Sequence, residues 1–183
     1  MEYTPKALSI LDAARKLFAQ KGYKAVTTLE IAKNAGVNEV TIFRQFQSKE
    51  KLFEKMLSHI IFKPKMSEFI DETQTDLKKY LLGIGNLIHE IFIQNIDLFQ
   101  IELTETTFLK NRKILAKFPN NIKKKVVEYL ISMHNYTEKS SEFFAVNYMS
   151  AVHGLCLNIY FLDTFDPKPD FIDCLNFIIE KFV

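Results

Sequence analysis

A chain of 183 residues that is 48% hydrophobic and 25% charged can bury a substantial core, which excludes a disordered tail. Only 5 Gly and 5 Pro in that length favour helices over a turn-rich β architecture. The net charge of +2 is unevenly divided: residues 1–64 hold 11 Lys/Arg against 6 Asp/Glu, and residues 65–183 hold 13 against 16. Charge able to neutralise phosphate is therefore concentrated at the amino-terminal end.

The opening MEYTPKAL lacks a charged segment followed by an apolar core, and no run reaches the roughly 18 apolar residues that would span a membrane. Neither a signal peptide nor a membrane partner is expected, and the predicted location is the cytoplasm. Cys156 and Cys174 form no zinc spacing and no CxxC pair, so they read as reduced, buried thiols.

In chain order, Thr4 or Pro5 opens a first helix in which Ile10, Leu11, Ala14, Leu17 and Phe18 recur at three- and four-residue steps. Lys21-Gly22-Tyr23 ends it. Residues 27–52 then read TTLEIAKNAGVNEVTIFRQFQSKEKL. Thr27 followed by Glu30 predicts a reciprocal capping box that starts a short helix with Ile31, Ala32 and Ala35 on its apolar face. Gly36 supplies the turn and Asn38 caps a second short helix running to about Phe46. Two short helices joined by a glycine turn make a helix-turn-helix. On the second helix Asn38, Ile42, Gln45 and Phe46 share one side, while Val40 and Arg44, with Thr41 and Phe43 at the edges, point away. Ser48 caps a further helix with Glu50 in its first turn, and Lys49 stands at its amino end, placed for a phosphate.

The succession FAQKGYKAVT, TTLEIAKNAGV and TIFRQFQSKEKL resembles the DNA-binding domain of the TetR family of bacterial transcriptional regulators, over about residues 6–55. The resemblance implies that Tyr23 is a buried ring. The chain departs from the family pattern at Phe43, usually a Tyr whose hydroxyl touches a phosphate, at Gln45, often His, and at Val40, often Gly, Ala or Pro. It also implies an all-α fold of about nine helices: a three-helix DNA-binding domain plus linker helix in residues 1–63, then a helical effector-binding and dimerisation domain in residues 64–183. The expected DNA-binding residues are Thr27, Thr28, Glu39, Val40, Thr41, Phe43, Arg44 and Lys49. Arg44 suits a guanine edge or a phosphate, and Glu39 either accepts from cytosine or adjusts the cap. The plain alternative for each is a solvated surface residue.

Beyond residue 64 the pattern stays helical. A short segment over 66–71, a long helix over 76–95 and another over 97–109 are predicted. Gly83 and Gly85 inside the long helix imply a kink or a close helix approach. Pro119 is expected to break the chain, with Asn120 or Asn121 capping a helix to about His134 and a loop over 135–140. A helix over 141–162 is apolar on more than one face, and Asp166-Pro167-Lys168-Pro169 turns the chain into a last helix over 170–182. The resemblance implies that the final two helices pair with their copies in a homodimer. Tyr148, Val152, Leu155, Ile159, Phe171, Leu175 and Ile178 are the expected dimer face. A palindromic double-stranded operator suits such a two-fold reader.

The resemblance further implies a cavity whose ligand spreads the reading helices. Its expected lining is His89, Phe92, Phe99, Phe108, Asn147 and Tyr148, with His153 and Asn158 as further polar groups on apolar helices, which suits a small, largely apolar effector. For each polar residue a satisfied core group is the plain alternative. The seven basic residues between Lys110 and Lys125 extend a DNA footprint, attract an acidic ligand or form a solvated helix end. His59, His89, His134 and His153 lie far apart without metal-ligand spacing, and no nucleophile elbow, P-loop or GxGxxG turn is present. No metal, cofactor or enzymatic activity is expected. The reading is a DNA-binding regulator, a repressor released by a small molecule. The alternative is a DNA-bound protein whose carboxyl-terminal part docks a protein partner.

Overall fold

The computed structural model describes residues 3–60, 64–97, 117–162 and 164–183. Among these the regular structure is entirely helical, and two compact units emerge: one within Met1–Phe62 and Asn95–Ala116, the other within Lys63–Gln94 and Lys117–Val183.

In the first unit, α1 (Pro5–Lys21) starts where Thr4 accepts from the Ala7 amide, and Pro5 takes a first-turn position that needs no donor. Its buried stripe of Ile10, Leu11, Ala14, Leu17 and Phe18 packs on α2 (Thr28–Ala35) and α4 (Lys49–Ile60). Gly36, at φ 67° and ψ 33°, makes the left-handed turn between α2 and α3 (Glu39–Phe46), a conformation that costs a Cβ-bearing residue far more. Asn38 accepts from the Val40 amide and Ser48 from the Lys51 amide, so both following helices are capped by their own sequence. Tyr23 is half-buried, its ring 5.3 Å from Phe18 and 5.0 Å from Phe53. The capping box is only half formed. Thr27 accepts from the Glu30 amide at 3.1 Å, but the Glu30 carboxylate turns to Lys21 Nζ instead of closing on Thr27. An ammonium within reach outcompetes a neutral amide for that carboxylate. The Arg15 guanidinium grips the Asp97 carboxylate through Nε and, at 2.6 Å, through Nη2.

The second unit opens with a 3-10 turn at Met66–Glu68 and continues into α5 (Leu77–Gln94), α6 (Lys117–His134), α7 (Glu138–Cys156) and α8 (Phe171–Phe182). α5 is packed by α7 and α8, and α6 lies on α7. The glycines of α5 mark close approach: a Cβ on Gly83 would stand 2.2 Å from the Phe69 carbonyl oxygen, and one on Gly85 2.5 Å from Leu175 Cδ1. Two boundaries differ from the sequence reading. Pro119 sits in the first turn of α6 instead of breaking the chain, since a first-turn residue needs no amide hydrogen. α7 begins at Glu138 and not near Ser141, because Thr137 accepts from the Ser140 amide and caps it. Past Cys156 the helix widens into a π-helical turn, Leu157–Phe161. Cys156 is buried and Cys174 half-buried, both as free thiols, and burial pushes the Cys156 thiol up to about 12. Beyond Asp97, the helix expected over 97–109 lies outside the described residues. No described helix is long and apolar enough to cross a membrane.

Candidate nucleic-acid interface

α3 is held from below. Ile42 is fully buried and Phe46 nearly so, both in the core shared with Ile31, Phe18, Leu52 and Phe53. That anchoring fixes which side of a two-turn helix faces outward. Val40 is 70% exposed and Phe43 47%, with Arg44 exposed beside them and Thr41 half-buried at the edge. Arg44 makes no hydrogen bond or ion pair among the described residues.

The amino ends of α2 and α3 are tied together. Thr28 Oγ1 donates to Glu39 Oε1 at 2.6 Å, a charge-assisted bond that holds the carboxylate at the start of α3. Thr27 is exposed but serves α2 as its cap. Lys49, expected to stand open at the amino end of α4, has its ammonium 4.4 Å from the centroid of the Tyr23 ring. That cation–π contact restrains it. Two further features escaped the sequence reading. Gln45 Oε1 is buried with no hydrogen-bond partner among the described residues. Gln47 lies at φ 70° between α3 and α4, with its side chain bonded to Lys51 Nζ. Helical spacing already set Gln45 on the inward side with Ile42 and Phe46, but whether its amide oxygen meets a donor depends on distant atoms, and Gln is not a residue type that signals a left-handed backbone. The surface as a whole offers an acceptor, a hydroxyl, two apolar side chains and one guanidinium, on the unit that carries the excess of basic residues.

The expected effector residues divide. His89, Phe92 and Tyr148 sit where α5 meets α7 and α8. Tyr148 is fully buried and its hydroxyl donates to the Leu81 carbonyl at 2.6 Å. His89 Nε2 lies 2.9 Å from the Tyr160 hydroxyl, which the π-helical turn presents, and its ring stacks on Phe171 with centroids 3.9 Å apart. Burial lowers the His89 pKa, with Glu90 opposing, so the neutral ring is favoured. Asn147 stands apart: it is exposed, and its amide donates to the Phe143 carbonyl at 2.7 Å. Phe99 and Phe108 lie outside the described residues.

The expected dimer residues divide by burial. Tyr148, Val152, Ile159, Phe171 and Leu175 are buried inside their own unit, and Leu155 and Ile178 are half-buried. The apolar side chains that α7 and α8 do expose are Phe143, Val146, Ile172 and Phe177. A helix apolar on several faces does not reveal by periodicity which face its own core takes.

Residues 10–56 match the family model described as bacterial regulatory proteins, tetR family. The chain is 33% identical over 162 residues to the uncharacterized HTH-type transcriptional regulator YvkB of Bacillus subtilis (strain 168), spanning 84% of this chain and 85% of that protein. It is 37% identical over 75 residues to a fatty acid metabolism regulator protein of the same organism, covering 41% of this chain and 36% of the relative. Among solved structures, the transcriptional regulator FadR from Bacillus subtilis in complex with stearoyl-CoA superposes with a TM-score of 0.73 at 22% identity, covering 96% of this chain and 97% of that one.

Proposed function

The chain belongs to the TetR family of bacterial regulatory proteins and is a helix-turn-helix transcriptional regulator; from that premise we propose that it is a repressor that binds a palindromic operator as a homodimer and is released by a small, largely apolar effector. The observation that carries the reading is the outward side of α3, where Arg44 has no partner among the described residues and Val40 and Phe43 are exposed on the basic unit. Arg44 supplies a bidentate donor for a guanine edge or a phosphate. Thr27 and Thr28 stand at the start of α2, near the backbone of a duplex that receives α3, Glu39 and Thr41 lie in the first turn of α3 toward the base edges, and Lys49 contributes positive charge. The proposed boundary between the DNA-binding and effector domains lies between residues 63 and 64, next to the Phe62–Lys63 division of the two compact units, of which the first also takes in Asn95–Ala116.

An apolar effector is supported by the core of the second unit, where aromatic rings carry few polar groups: His89, Tyr160 and Tyr148. The similarity in fold to a regulator bound to stearoyl-CoA points the same way, toward a molecule with a long acyl chain. Release then follows from differential affinity: an effector that prefers the DNA-incompetent state draws the population toward it, by no more than that preference. The exposed apolar row of Phe143, Val146, Ile172 and Phe177 is the proposed dimer surface.

Selection of bound sequences from a random duplex pool at moderate salt tests this. One palindrome should be enriched, and Arg44→Ala should weaken it about 10- to 100-fold, the loss of one bidentate base contact. No enrichment would overturn the reading.

A further inference from the structure

We infer that Val40 and Phe43 read thymine, by packing against its 5-methyl group in the major groove, and so set part of the operator sequence. The inference rests on the reading above, that α3 enters the groove. Val40 and Phe43 stand one turn apart on α3, neighbours on one face, with Arg44 next to them. They are 70% and 47% exposed, although the same eight-residue helix buries its other large apolar residues, Ile42 and Phe46, almost completely. Neither side chain can donate or accept, so neither can hold a phosphate or satisfy a polar base edge. Laid against guanine, cytosine or adenine, each would strip water from polar atoms and give nothing back. Thymine alone among the four bases carries an apolar group in the major groove.

The polar members of the face fit a division of labour. Thr28 holds one oxygen of Glu39, whose other oxygen has no hydrogen bond among the described residues and remains an acceptor for an exocyclic amine. Arg44 supplies the donor. The apolar pair lies between these two, and a methyl group is what such a pair can recognise.

The test uses the full chain and the operator recovered by selection. Each thymine of a half-site is replaced in turn by deoxyuridine, which removes the methyl and leaves pairing intact, and affinity is followed by fluorescence anisotropy at fixed salt. One or two positions per half-site should each lose about fourfold, the value of burying one methyl group. Val40→Ala or Phe43→Ala should abolish the loss at one of those positions and leave the others unchanged. Tight, sequence-specific binding that is indifferent to uracil everywhere would overturn this inference while leaving the DNA-binding reading intact. Uracil losses that persist in both variants would also overturn it, since other side chains would then read the methyls. Failure to recover any operator would remove both.

Discussion

At the scale of single residues, the two glycines of α5 show how a missing Cβ sets the distance between elements. Helix propensity alone favours Ala over Gly by about 1 kcal/mol. At Gly83 a Cβ would meet the backbone oxygen of Phe69 at 2.2 Å, and backbone cannot rotate away. At Gly85 it would meet the methyl groups of Leu175 at 2.5 and 2.7 Å and the Tyr148 hydroxyl at 2.9 Å, and Leu175 can change rotamer. Overpacking costs about 1–3 kcal/mol, so Gly83→Ala should lose about 2 kcal/mol and Gly85→Ala about half of that. Urea unfolding followed by circular dichroism ranks the two. The reverse order would mean that Leu175 and Tyr148 are the rigid partners.

At the scale of elements, the junction of α3 and α4 is the most constrained turn in the first unit. Gln47 stands at φ 70° and ψ −38°, and the Ser48 amide donates across it to the Phe46 carbonyl at 2.8 Å. This three-residue closure is a γ-turn of the rare, strained kind. It sets how the reading helix leaves toward α4, so local strain and reading geometry are linked. Gln47→Gly should relieve the strain and raise stability by about 0.5–1 kcal/mol. Gln47→Val, with a β-branched side chain in a left-handed conformation, should lower it by about 1–3 kcal/mol. Thermal unfolding and operator affinity should move together in the Val variant. A Val variant as stable as the parent would show that the turn is not held in this conformation.

At the scale of the whole molecule, the proposed function depends on joining two copies, because one helix-turn-helix would read only half of the proposed palindrome. The proposed joining surface is the exposed row on α7 and α8, of which Phe143 is 60%, Val146 50% and Phe177 62% exposed. Paired with its copy, such a row removes water from aromatic and aliphatic surface; left open, it is a liability. Val146→Glu combined with Phe177→Glu should shift the protein toward monomer in sedimentation equilibrium at micromolar concentration. Operator affinity should fall by about 100-fold or more as the advantage of linked half-sites disappears. A double variant that remains dimeric would place the joining surface elsewhere.

The sequence by itself determined what is local. Thr4, Thr27, Asn38 and Asp170 each cap a helix, because a cap is a side chain meeting a backbone amide two or three residues away. The spacing of Ile10, Leu11, Leu17 and Phe18, and the pairing of Ile42 with Phe46, likewise named the core of the reading unit, since a narrow apolar stripe leaves one inward face. The tertiary structure decided every choice among several partners. It turned Glu30 to Lys21 instead of to its own helix start, and set the Lys49 ammonium over Tyr23. It resolved the α5 glycines as close approach, and gave the inward side of α7 to Tyr148 and Val152 while leaving Phe143 and Val146 in water. Those outcomes depend on which atoms from distant parts of the chain lie within about 4 Å, the range over which packing and charge pairing act, and spacing along one helix does not carry that information.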